Sequence, residues 1–102
     1  MRILVFFDLP IETAKQRKDY RTFRTKLLKE GYIMVQKSVY AKLATNENAV
    51  IAAIGRLEKI KPPEGLVQVL RVTERQFTTM ACITGKAYEH DEIDSTDEIL
   101  VL

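Results

Sequence analysis

Apolar and polar positions change rhythm several times along this 102-residue chain, and each rhythm predicts an element. Ile3-Leu4-Val5-Phe6-Phe7 is an unbroken apolar run, so Arg2 to Phe7 reads as a strand. Side chains alternate along a strand, so Ile3, Val5 and Phe7 share one face while Leu4, Phe6 and Asp8 share the other. From Thr13 the period lengthens to that of a helix. Thr13 and Gln16 form a capping box, Tyr20, Phe23 and Leu27 fall on one stripe, and Gly31 supplies the C-cap. Tyr32 to Val35 and Ser38 to Leu43 return to β-type runs, and Gln36-Lys37 between them marks a hairpin or a sharp kink. Thr45 or Asn46 caps a second helix whose stripe is Val50, Ala53, Ile54 and Leu57; Pro62-Pro63 ends it. Leu66 to Val72 reads as the next strand, Phe77 to Thr84 as a fifth, and Ile99 to Leu102 as a short sixth.

The order β-α-β-β-α-β with extra C-terminal strands is that of an α+β, ferredoxin-like sandwich, an antiparallel sheet with two helices on one face. The expected division is a ferredoxin-like domain with its extra strand over 1–87, then an acidic loop and short strand over 88–102. Two helices cover only one side of the sheet, yet the first strand is apolar on both. The second face therefore needs a cover. A second copy in a symmetric homodimer is the favoured cover; the alternative is that the C-terminal strands fold back over it.

Charge sharpens this picture. The net charge of +2 conceals an asymmetry, because residues 1–61 hold 13 Lys or Arg against 6 Asp or Glu, a balance of +7. Tyr88 to Leu102 carries Glu89, Asp91, Glu92, Asp94, Asp97 and Glu98 and no Lys or Arg. A basic body with an acidic tail suits either a polyanion partner or a solvated surface whose charges happen to segregate. Cys82 is alone, so no internal disulfide forms, and no apolar stretch nears the roughly 20 residues that span a bilayer. The expected setting is the cytoplasm, with no membrane partner.

Two features carry candidate chemistry. Asp8 stands where the first strand ends; an unpaired charge in mid-strand with both faces covered would cost several kcal/mol, a cost that a strand end in reach of water avoids. If its face is a dimer interface, two Asp8 carboxylates approach across the axis, and a divalent cation would relieve their repulsion. The second feature is the first helix. Arg17, Arg21 and Arg24 fall within about 60° of one another beside the core stripe, with Lys15, Lys18, Lys26 and Lys29 further round. Only Asp19 and Glu30 offer local ion pairs, so a phosphate-binding surface is preferred over a plain solvated face. The chain has no glycine-rich phosphate loop, zinc spacing or CxxC pair.

A strand ending in Phe7-Asp8, a capped basic helix ending at Gly31, and Val35-Gln36-Lys37-Ser38-Val39-Tyr40 together resemble the CRISPR-associated Cas-two proteins. Thr73-Glu74-Arg75-Gln76-Phe77 is similar to the form of the family that accompanies Cas-nine-type effectors. The resemblance implies a ferredoxin-like homodimer in bacterial adaptive immunity. With the Cas-one integrase it would hold a short DNA duplex for insertion into the repeat array. It also implies nuclease activity on RNA or double-stranded DNA with Mg2+ (or Mn2+). Asp8 would be the metal-binding and catalytic acid, Arg17 and Lys18 the basic pair of the first helix, and Ser38 the serine of the second motif. Many members carry tyrosine before the aspartate, where this chain has Phe7.

Two functions follow. One is phosphodiester hydrolysis at Asp8, with nucleic acid held by Arg17, Lys18, Arg21, Arg24, Lys37 and Ser38. The other is a non-catalytic basic scaffold that bridges integrase dimers on duplex DNA, with Ile99, Leu100, Val101 and Leu102 adding a strand to a partner.

Overall fold

Capping residues decide where the helices begin and end. Thr13 accepts a hydrogen bond from the Gln16 amide while the Gln16 side chain accepts from the Thr13 amide, a reciprocal box that opens α1 (Ala14–Lys29). Gly31, at φ 94°, lets the chain turn back so that its own amide and that of Tyr32 satisfy the Leu28 and Leu27 carbonyls. Asn46, rather than Thr45, caps α2 (Glu47–Ile60), accepting from the Ala49 amide at 2.8 Å.

The computed structural model describes residues 1–86 and places these helices on a four-stranded antiparallel sheet. β1 (Arg2–Asp8) lies between β3 (Val39–Leu43) and β4 (Leu66–Val72), and β2 (Ile33–Gln36) extends the sheet beyond β3. The fold is the ferredoxin-like α+β sandwich. The Gln36-Lys37 step belongs to a hairpin between β2 and β3, with an irregularity between Met34 and Gln36.

One sheet face is closed. Ile3, Val5 and Phe7 pack there with Phe23 and Leu27 of α1 and with Val50, Ala53 and Leu57 of α2. Ile54, expected in that stripe, is 40% exposed, because it lies about 100° round the helix from Ala53.

The opposite face gathers Leu4 and Ala41 with the ring of Phe77, flanked by Phe6, Val35 and Val72. Phe77 does not begin a fifth strand. It belongs to a short helix, α3 (Glu74–Thr78), and no strand follows among residues 79–86. The reason is local: Thr73 and Gln76 repeat the capping box of Thr13 and Gln16, which satisfies the first amides in a helical rather than an extended backbone. Arg2 holds α3 down, donating from Nε to Glu74 at 2.5 Å and lying 4.7 Å over the Phe77 ring. Part of the cover for the second face is thus supplied by α3. Leu66 and Leu70 on β4, which pair with Asp8 and Leu4, remain 55% and 54% exposed. The proposed strand Ile99 to Leu102 lies outside the described residues.

Candidate functional site

Asp8 is the last residue of β1, exposed, and takes part in no ion pair among the described residues. By alternation it lies on the half-open face, in register with Leu66. Its backbone is flanked on both sides. Toward β3, the Phe7 amide donates to the Ser38 carbonyl at 3.0 Å. Toward β4, Gly65 approaches so closely that a β-carbon on it would lie 2.7 Å from the Asp8 carbonyl oxygen.

The β2–β3 turn and α1 are stitched together at this same end of the sheet. Tyr20 donates its hydroxyl to the Lys37 carbonyl at 3.2 Å, and Arg24 donates from Nε to the Tyr40 hydroxyl at 2.8 Å. Asp8, Lys37, Ser38 and the N-terminal part of α1 therefore share one end of the molecule, with Asp8 on the sheet's outer face and α1 on the helix layer.

The arginine stripe divides by role. Arg17 turns one guanidinium nitrogen onto the Ile11 and Glu12 carbonyls, at 3.1 and 3.0 Å, and so braces the loop between β1 and α1. Arg24 is anchored through Nε, which leaves the two terminal nitrogens of its fork toward solvent. Arg21 and Lys18 are exposed and make no hydrogen bond or ion pair among the described residues. Lys15 pairs with Asp19 at 3.0 Å. Of the arginines expected to meet phosphate, Arg21 and Arg24 have donors to spare, whereas those of Arg17 are partly committed.

Gly65, Tyr20 and Tyr40 are the contributors that sequence reasoning missed. Gly65 had a signal in the turn-forming Pro62-Pro63-Glu64-Gly65 run; the two tyrosines read only as core or sheet residues. Among the described residues, no group of three or more His, Cys, Asp or Glu gathers to hold a metal ion. At the end of β1 the carboxylate among the described residues is that of Asp8. That fits a cation such as magnesium, which keeps several waters and takes one or two carboxylates plus phosphate oxygens. No described helix is long and apolar enough to cross a membrane.

The sequence profile of the family described as CRISPR associated protein Cas2 matches residues 1–80. The chain belongs to the Cas2 family. A Treponema denticola protein named CRISPR-associated endoribonuclease Cas2 is 49% identical over 102 residues, covering 100% of this chain and 99% of its own length. A Lacticaseibacillus rhamnosus protein of the same name is 37% identical over 102 residues, with 100% of both chains covered. One from Streptococcus mutans is 48% identical over 86 residues, which is 84% of this chain and 79% of that protein.

Phe7, where many Cas2 proteins have tyrosine, points away from Asp8. Its ring is 5% exposed and sits in an aromatic cluster with Phe23, Tyr40 and Tyr20, at centroid distances of 5.2, 5.6 and 5.8 Å. A hydroxyl on this ring would therefore lie on the closed face, opposite the face that carries Asp8. Residues 88–102, and with them Ile99, Leu100, Val101 and Leu102, lie outside the described residues.

Proposed function

We propose that this chain is a metal-dependent endonuclease of CRISPR-based antiviral defence, cutting phosphodiester bonds in RNA and acting as a symmetric homodimer. The observation that carries this reading is Asp8: an exposed carboxylate without an ion pair among the described residues, its backbone gripped on both sides, at the same end of the molecule as the start of the basic helix. The names of the relatives, all endoribonucleases, support the activity and favour RNA over duplex DNA.

The half-open face would join two copies, each bringing its Asp8 toward the axis. The paired carboxylates would hold a magnesium or manganese ion, which when bound offsets phosphate charge and acidifies water. Arg21 and the free end of the Arg24 fork would grip backbone phosphates. Arg17 keeps the loop after Asp8 in place. Lys18 and Lys37 add positive charge at the same end, and Ser38 offers a hydroxyl beside the end of β1.

The test is RNA cleavage by the purified protein. Asp8→Asn should abolish cleavage while RNA binding stays within about 3-fold, and EDTA should abolish it in the unaltered protein. Arg21→Glu should lower the salt dependence of binding by about one counterion, and Arg17→Glu by less. Cleavage undiminished in Asp8→Asn would contradict the proposal.

A second reading is favoured because no group of three or more His, Cys, Asp or Glu gathers around Asp8 among the described residues. In it the dimer is a non-catalytic spacer that binds duplex DNA and bridges dimers of the Cas-one integrase. Spacer insertion that survives Asp8→Asn, with no RNA cleavage by either protein, would select it.

A further inference from the structure

We infer that Gly65 sets where Asp8 stands, as a positioning residue for the hydrolysis proposed above, and the inference rests on that reading. Gly65 turns the chain into β4 at φ 95°, a conformation that side-chain-bearing residues rarely adopt. The space around it is more telling than the angle. A β-carbon there would meet the Leu9 side chain at 2.6 Å, the Asp8 carbonyl oxygen at 2.7 Å and the Leu9 α-carbon at 3.0 Å. Two of those atoms are backbone, so rotating a side chain cannot relieve the contact. The bare backbone of Gly65 thus packs against the peptide that joins Asp8 to Leu9.

The other glycines show that this is particular to the site. Nothing lies within 4 Å of a β-carbon built at Gly55 or Gly85, and at Gly31 only the flexible end of Lys42 comes near, at 3.6 Å. Leu66, the next residue, is the register partner of Asp8, so the close approach and the pairing act on one residue. On the opposite flank the Phe7 amide is held to Ser38 at 3.0 Å. The end of β1 has neighbours on both sides, and β4 can come this near only because position 65 carries no side chain. Any side chain there forces position 65 and the carrier of the carboxylate apart, by something on the order of 1 Å, to regain van der Waals separation. A displacement of about that size costs roughly 100-fold in rate when a reacting group must be placed accurately.

The experiment compares Gly65→Ala and Gly65→Asn with the unaltered protein and with Asp8→Asn. Asparagine tolerates the left-handed backbone better than alanine but brings the same β-carbon. Both Gly65 variants should stay folded by circular dichroism and lose about 100-fold in kcat for RNA, with KM changed less than about 3-fold. A readout independent of turnover is the broadening of the Phe7, Asp8 and Leu9 amide NMR signals by Mn2+ alone. It should occur in the unaltered protein, vanish in Asp8→Asn, and need about 10-fold more Mn2+ in the Gly65 variants. Unaltered kcat per folded molecule together with an unaltered Mn2+ titration would overturn the inference. So would full activity in Gly65→Asn alone, since backbone angle and not close approach would then be at issue. Failure of both variants to fold would make Gly65 a folding requirement and overturn it too. If Asp8→Asn cleaves as well as the unaltered protein, the proposed function falls instead, and the Mn2+ titration still decides whether Gly65 places Asp8.

Discussion

Along β1, Ile3, Val5 and Phe7 are 0%, 0% and 5% exposed beneath α1 and α2, whereas the residues alternating with them are covered, among the described residues, by one five-residue helix. The closed face is packed by residues from both long helices and from all four strands, including Tyr40 and Val69. The half-open face has Phe77 as its buried lid, while Leu43, Leu66 and Leu70 stay 51%, 55% and 54% exposed. The same strand thus serves two purposes. One side holds the fold together, and the other presents apolar surface with Asp8 at its rim, where a second copy would bury it.

The largest expected effect on stability lies on the closed face. Phe23→Ala removes a ring packed against Phe7 and should destabilise the protein by about 3–5 kcal/mol, read by denaturant unfolding of the monomeric unit. Leu70→Lys on the half-open face should change that same stability by less than about 0.5 kcal/mol, because the side chain is already exposed. Its effect should appear instead as dissociation of the dimer by light scattering. A large loss of monomer stability in Leu70→Lys would erase the contrast between the faces.

The closed face carries one flaw, and the smallest prediction concerns it. The Tyr32 hydroxyl is buried without a hydrogen-bond partner among the described residues, and burial pushes its pKa up to about 12 despite the opposing pull of Arg56. Tyr32→Phe should therefore stabilise the protein by about 1 kcal/mol at neutral pH. The folded pKa lies above the ordinary 10.0, so the folded state keeps a proton that the unfolded chain releases. Stability should fall as pH rises from about 10 toward about 12, and the part of that slope due to Tyr32 should vanish in Tyr32→Phe. Equal slopes in the two proteins, followed by equilibrium unfolding, would refute this assignment.

Much of this was legible from residue order. The alternation along Arg2 to Asp8 shows both apolar faces, and the capping box at Thr13 and Gln16 marks the start of α1. What misled was Phe77 to Thr84, where apolar and β-branched residues suggested a strand although Thr73 and Gln76 carry the same box as α1. Two capping residues outweighed composition. At the site, Asp8 was visible because a carboxylate at a strand end has few structural uses. The commitment of Arg17 to the Ile11 and Glu12 carbonyls was not, since helical periodicity gives the direction of a side chain and not what lies within its reach. Gly65 was hidden for a related reason: its role lies in a contact across 57 residues with Asp8, visible only once the strands are paired.

In the proposed dimer, two copies meet on the half-open face and build one site from both Asp8 carboxylates. Subunit mixing probes that sharing: unaltered and Asp8→Asn protein are unfolded together, refolded at known ratios, and assayed for RNA cleavage. If both acids are required, activity follows the square of the unaltered fraction, so an equal mixture keeps about one quarter of full activity. A linear dependence, with about one half retained, would mean that each Asp8 works alone and would contradict the shared site.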